Sequence, residues 1–443
     1  MTTRIAAVAL ATSLALQTAI HGQAARAEQP DVSASRYVDP TGGLSLDQAV
    51  ARALEQEPGL RAARAAVDAA RGVALQAGLR PNPTVSVAQQ QEPFGMDRQT
   101  SVEVMWPLDL FRRRGRVEVA DRQVDAAVHE VADRERLLGA DVRTAYGAVA
   151  AAVRELSVLD DLVAVASRQQ VLVGARVEQG ATPPLDRDLL EVELRRFESD
   201  RLRQAGAVED AVIELKRLLG MSAGAPLAIR DDLEQLVRAE AAAALPPAGA
   251  AEVNGRPDIL AAAAAVQAAE AGVDRARRDG RVDASLFGNY MRMQSGFPQR
   301  AFDAAGAIVP IEARFNYVVA GLSIAVPVRD RSQGIVAAAQ AERRAASARL
   351  DAAHLAAQAE IFAARVRDER GRQAAAIYTS GALDLARHNL GVVQQTYELG
   401  RATVFDVLAE QRRYLEVERS AIDSLREAYE ARQALRRALG EVR

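Results

Sequence analysis

Two aspartates, Asp186 and Asp406, stand 220 positions apart, each six residues beyond a glycine, Gly180 and Gly400. The segments after the glycines read Ala181-Thr182-Pro183-Pro184 and Arg401-Ala402-Thr403-Val404. Glycine suits a helix C-terminus that must reverse, because it takes left-handed torsions at little cost, and proline then starts the next helix. A carboxylate in the first turn of that next helix is stabilised by the helix dipole, by about 0.3–1 kcal/mol. Repeated around a symmetric assembly, the same carboxylates would form an acidic ring, a common way to favour cations in a pore.

Catalytic chemistry has little support. Beyond residue 27 the histidines are His129, His354 and His388, at non-equivalent places and without the spacing of a zinc site. There is no cysteine, hence no disulfide framework, thiolate metal site or lipid-acceptor thiol. No glycine-rich phosphate loop and no nucleophile elbow occurs, so neither an enzyme nor a bound cofactor is expected. The formal net charge is -3 with acidic and basic residues interspersed. No basic block is present to hold nucleic acid, and the charges are expected on a solvated face.

The elements that position the two breaks are long helices. Between Gly115 and Gly180 there is no proline. Stepping by seven from Val117 gives Val124, Val131, Leu138, Ala145, Ala152, Leu159, Ala166 and Val173, all apolar. A seven-residue apolar repeat held that long predicts a helix of roughly 90 Å that packs lengthwise on others. An earlier helix is expected from Leu46, capped by Ser45 with Gln48, bending at Pro58 and ending near Ala77.

The chain is written twice. Pro58 answers to Pro257, Pro107 to Pro327, Gly180 to Gly400, and Arg217-Leu218-Leu219-Gly220 to Arg437-Ala438-Leu439-Gly440. The offset rises from 199 to 220 between the first two pairs, which puts a 21-residue insertion in the second copy. Each copy reads as a medium helix, a strand pair, a very long helix, a sharp break and a further helix. The copies span 44–220 and 253–440, with a linker over 221–252 around Leu245-Pro246-Pro247-Ala248-Gly249.

The strand pairs are Thr84–Gln91 with Gln99–Trp106, about a turn at Pro93-Phe94-Gly95, and Asp283–Gln294 with Phe315–Val328, about a longer loop. In the last strand Val318, Ala320, Leu322, Ile324 and Val326 alternate with a smaller, mixed set. Half of the chain's aromatics fall in the windows 84–111 and 283–328, as where a barrel meets lipid headgroups. Open sheet edges are not tolerated in lipid, so four strands per chain must be pooled. Eight strands enclose only side chains, whereas twelve leave a channel, so a trimer is the smallest assembly with a pore.

Residues 1–27 are expected to be a cleaved signal peptide. Arg4 is followed by the apolar run Ile5–Ile20 and the small-x-small site Ala25-Arg26-Ala27. Residues 28–43 then form a loose leader. No later segment has about 20 uninterrupted apolar residues, so no transmembrane helix is expected.

With its duplicated plan, the Pro81-Asn82-Pro83 segment and the Gly400, Thr403, Asp406, Val407, Leu408 pattern, the chain resembles the TolC-like outer-membrane efflux family over residues 44–440. The segment from Trp106 to Gly115 is most similar to its heavy-metal-efflux, CzcC-like branch. The resemblance implies a mainly α fold with a small membrane β-barrel portion. The assembly would be a homotrimer with a 12-stranded β-barrel in outer-membrane lipid and a 12-helix periplasmic tube. It implies a passive duct for metal cations or small toxic compounds, docked at its tip to a periplasmic membrane-fusion adaptor and energised by an inner-membrane pump of RND type. On that pattern Gly180, Thr182, Gly400, Thr403 and Val404 make the adaptor-contacting tip. Asp186, Asp406, Tyr397 and Arg401 belong to the gate. The matching basic position holds Ala402, with Arg401 one place earlier, and the first copy has Val177 where the second has Tyr397. A soluble periplasmic coiled-coil adaptor or scaffold is the alternative, since it too would carry a signal peptide and heptads.

Overall fold

The computed structural model describes residues 33–93, 97–243 and 250–441. The expected signal peptide, the Leu245–Gly249 segment of the linker and most of the Pro93-Phe94-Gly95 turn lie outside the described residues. Helix α1 (Leu46–Gln56) begins on Ser45, whose hydroxyl accepts from the Gln48 amide while the Gln48 side chain accepts from the Ser45 amide. Pro58 breaks it from α2 (Pro58–Gly78), because proline cannot continue the hydrogen-bond ladder. The pair β1 (Thr84–Gln91) and β2 (Arg98–Pro107) follows, then α3 (Arg112–Glu178) of 67 residues, roughly 100 Å at 1.5 Å each. After it come α4 (Pro184–Leu218), α5 (Leu233–Ala242), α6 (Ala250–Gly255) and α7 (Pro257–Asp279). Strands β3 (Asp283–Phe302) and β4 (Ile308–Ala325) precede α8 (Gln333–Ile377), α9 (Leu383–Glu398) and α10 (Val404–Ala438).

Helices α2, α4, α7 and α10 pack along α3, and α7 and α10 also pack along α8. None of the nine heptad positions of α3 is exposed. Along the seam of α3 with α10, Gly147 faces Tyr429: a Cβ on Gly147 would stand 2.3 Å from the ring. Tyr429 is buried and donates to the Arg143 carbonyl at 3.2 Å.

Four expectations are corrected. Residues 33–43 are not a loose leader. Asp39 and Leu44 donate to the carbonyls of Ile229 and Ala228, and Ile229 and Arg230 donate back to Tyr37 and Leu44, all within 3.0 Å. The Tyr146 hydroxyl holds this junction, 2.8 Å from the Leu44 carbonyl and 2.9 Å from an Asp231 carboxylate oxygen.

The second long helix is not continuous: a π turn over Tyr378–Ala382 separates α8 from α9, with Gly381 at φ 140°. Thr379 and Ser380 return their hydroxyls to the carbonyls of Ala375 and Ile377, which loosens the ladder just before the glycine.

The helix charges are not all on a solvated face. Glu193, Asp200, Glu410, Glu418, Asp368 and Arg432 are buried, because these helices pack on more than one side and arginines reach across the seams. Glu418, 1% exposed, accepts from the Tyr414 hydroxyl at 2.7 Å and lies 3.4 Å from Arg387 of α9 and 3.6 Å from Arg154 of α3.

The strands form one antiparallel meander in the order β1-β2-β3-β4, so β1 and β4 are its edges. The second hairpin is longer than expected. Most of the inserted residues extend β3 and β4, which turn tightly at Asp303, whose carboxylate accepts from the amides of Ala305 and Ala307 at 2.9 Å each.

Candidate functional site

Both helix breaks lie at one end of the molecule and are built alike. Gly180 (φ 70°) and Gly400 (φ 73°) occupy left-handed positions after α3 and α9. The Gly180 amide donates to Val177 and that of Ala181 to Arg176; Gly400 donates to Tyr397 and Arg401 to Thr396, at 2.9–3.0 Å. These paired bonds satisfy carbonyls that a helix end otherwise leaves open. A Cβ at either glycine would meet no atom within 4 Å, so glycine is required by torsion and not by crowding.

The next helices start differently. Pro183 and Pro184 open α4 by their fixed φ, whereas Thr403 opens α10 as one half of a capping box. Asp406 Oδ2 accepts from the Thr403 amide at 2.8 Å and from its hydroxyl at 2.7 Å. These bonds from Thr403 hold the exposed Asp406 carboxyl below its ordinary value.

Beneath the turns, Val173 of α3, Leu190 of α4, Tyr397 of α9 and Val404, Val407 and Leu408 of α10 form one apolar cluster. Arg176 crosses it, donating to the Glu398 carbonyl at 3.0 Å. Burial raises the Tyr397 phenol above its usual value; the Asp186 carboxylate pushes the same way and Arg176 opposes. The structure therefore brings Tyr397, Asp186 and Arg176 into one electrostatic neighbourhood.

Arg401 and Asp406 are exposed, and Thr182 is half-buried in its turn. Among the described residues no ion pair involves Arg401. Val404 corrects the expectation of a partner contact: at 2% exposure it is a core residue, because the first position of α10 faces the cluster. The outward apolar residues are instead Leu185 and Phe405, 59% and 61% exposed, with Leu399 before the second turn at 72%. Leu185 and Phe405 are repeat equivalents at the second helical position, a pairing visible in the 220-residue offset.

At the other end, the four-stranded sheet presents an apolar face. Its rows run Trp106–Leu286–Leu322, then Val85–Val104–Gly288–Ala320, then Val87–Val102–Tyr290–Val318. Val87 and Val318 are 71% and 81% exposed. In β4 the alternation continues through Leu322 to Ile324, both exposed. β4 is 18 residues long, more than the about 9–11 that cross a membrane's core as a strand tilted about 45°. The opposite face carries Ser86–Glu103–Asn289–Val319 and Gln90–Gln99–Met293–Phe315, polar or mixed as a barrel interior is. Among the described residues no helix is long and apolar enough to cross a membrane, and no acidic or histidine group is arranged to hold a metal.

Comparison with known proteins agrees with this geometry. Residues 49–221 and 251–441 match the model of the family described as outer membrane efflux protein. The chain is 23% identical over 422 residues to the cobalt-zinc-cadmium resistance protein CzcC of Cupriavidus metallidurans, covering 91% of each. A crystal structure of CusC superposes with a TM-score of 0.72 at 19% identity, over 91% of this chain and 93% of that one. The open-state MtrE outer membrane channel of Neisseria gonorrhoeae gives 0.71 at 20% identity, over 93% and 92%. A soluble adaptor is thereby set aside. The chain belongs to the outer membrane efflux protein family: it is an outer-membrane efflux channel whose helices extend into the periplasm.

Proposed function

We propose that three copies of this chain assemble into one duct, non-enzymatic, whose tip meets a periplasmic adaptor and whose transport is driven by an inner-membrane pump, RND-type by the family resemblance. The observation that carries this reading is the open sheet, apolar on one face and unpaired at both edges, β1 and β4. Neither edge is tolerated in lipid unless β1 of one chain pairs with β4 of the next. Gly180, Thr182, Gly400 and Thr403 shape the tip, and Leu185 and Phe405 are its adaptor-facing apolar contacts. Asp186 and Asp406, with Tyr397 and Arg401 beside them, form the gate; in a trimer their six carboxylates ring the exit of the pump's cargo. Divalent metal cations are the favoured cargo over small toxic compounds, since such a ring attracts cations and the relative CzcC is named for cobalt, zinc and cadmium resistance.

The test is conductance of the detergent-purified protein in planar bilayers, with and without Asp186→Ala/Asp406→Ala. Stable unit steps, with block by multivalent cations that the double variant loses, are expected. Steps whose block is unchanged in the variant would remove the acidic ring. A chain that needs no detergent and never conducts would remove the duct.

A further inference from the structure

Immediately beyond the apolar rows of the sheet, on the same face and away from the helices, the side chains change character. The next two rows read Gln89–Thr100–Arg292–Asn316 and Gln91–Arg98–Gln294–Arg314. The register is regular through both; the only irregularity in β3–β4 comes later, between Phe297 and Arg300. Arg98, Arg292 and Arg314 therefore share the face that carries Val87, Val102, Tyr290 and Val318, on three neighbouring strands. Arg292 lies one diagonal step from each of the other two, within reach of long side chains. The Tyr290 hydroxyl donates to Asn316 at 2.9 Å and marks the boundary where the apolar rows end.

All three arginines are exposed, and among the described residues none has an ion pair or a side-chain hydrogen bond. This contrasts with the helices, where arginine after arginine is held by a carboxylate, as in Arg412–Glu193 and Arg419–Glu155 at 2.9 Å. The nearest acid on this face, Glu312 in the following row, is engaged by the Gln294 amide at 2.8 Å. Barrel closure would pair the sheet's edges laterally and leave this outward face open.

We propose that Arg98, Arg292 and Arg314 form a binding site for the phosphate groups of the phosphorylated glycolipid in the outer leaflet of the outer membrane. The site lies at headgroup depth because the sheet's apolar rows stop there, on the side remote from the periplasmic helices. Guanidinium suits the ligand: it presents paired N–H donors that match phosphate oxygens bidentately. Arg292, one diagonal step from both Arg98 and Arg314, lets the three together hold two phosphates on one headgroup. The lipid acyl chains then lie along Val87, Val102 and Val318 below. The inference rests on the sheet's placement in the outer membrane and not on the identity of the cargo.

Native mass spectrometry of the detergent-purified oligomer, titrated with lipid A, tests it. Wild-type protein is expected to retain lipid A, and Arg98→Gln/Arg292→Gln/Arg314→Gln to bind on the order of a hundredfold more weakly, at roughly a factor of five per arginine. Dephosphorylated lipid A should bind the wild type as weakly as lipid A binds the variant. Inorganic phosphate at equal concentration should not compete. Arg195→Gln, on exposed α4, should bind as wild type. Equal retention of lipid A by wild type and triple variant would overturn the proposal, as would equal retention of the dephosphorylated lipid or full competition by inorganic phosphate. Conductance of the triple variant separates the two claims: a conducting variant that binds lipid A as wild type sinks only the lipid site.

Discussion

At the scale of single residues, the tip rests on torsion and on hydrogen bonds that can be removed one at a time. Gly400 sits at φ 73° with open space around it. Gly400→Val should therefore strain only the turn, by about 1–2 kcal/mol, and abolish efflux while the oligomer still forms. Phe405→Asp should do the same by removing an exposed apolar contact, with cross-linking to the adaptor lost. Efflux at wild-type levels in both variants would show that the turns do not dock.

The Asp406 carboxyl has its folded pKa lowered from an ordinary value of 3.8 by bonds from Thr403. Its stabilisation of the α10 start is complete above that value and vanishes as pH falls through the lowered one. Amide protection at residues 404–408, taken relative to the intrinsic exchange rate at each pH, should thus fall below about pH 4 in the wild type. Asp406→Asn should exchange faster at neutral pH and lose that dependence; identical profiles would deny the carboxylate this role. Gly180, Gly400 and the first-turn place of Asp406 were legible in the sequence, because helix ends are local chemistry. The burial of Val404 was not, since the first residue of a helix can face either way until its neighbours are known.

At the scale of elements, period and composition specified the helices and strands, and the exceptions have causes beyond them. The heptads of α3 mark its packed stripe, and the alternation in β4 marks the lipid face. Three things escaped. The π turn at Tyr378–Ala382 depends on hydroxyls of Thr379 and Ser380 choosing backbone carbonyls over solvent, which no apolar period records. The extended β3–β4 hairpin looked like a loop because Gly296, Pro298 and Pro310 interrupt the alternation of its outer half. Glu418 looked like a surface charge because its partners, Arg154, Arg387 and Tyr414, come largely from other helices. The seam of α3 with α10 gives a direct packing test. Gly147→Ala, which sets a Cβ against the Tyr429 ring, should destabilise the helical part by about 1–3 kcal/mol, seen as a lower thermal midpoint in detergent. Gly147→Ala/Tyr429→Leu should recover part of that loss; no loss in the single variant would mean the seam yields freely.

At the scale of the whole molecule, one chain is an incomplete object. Its sheet is apolar outside, mixed inside and open at both edges. Its helices end in two equivalent turns that meet over one cluster. The duplication was legible as a 220-residue offset because both copies keep the same caps and prolines. The proposal that several chains assemble follows from counting strands. What no single chain carries is the register between its β1 and the β4 of a neighbour.

That register offers the most direct test. The chain has no cysteine, so paired cysteines scanned along β1 (Thr84–Gln91) and β4 (Ile308–Ala325) would be the only thiols. Oxidation should cross-link chains at one register, in a ladder that stops at the covalent trimer. A ladder that stops at two, one that continues past three, or no inter-chain cross-link at any register would contradict the account.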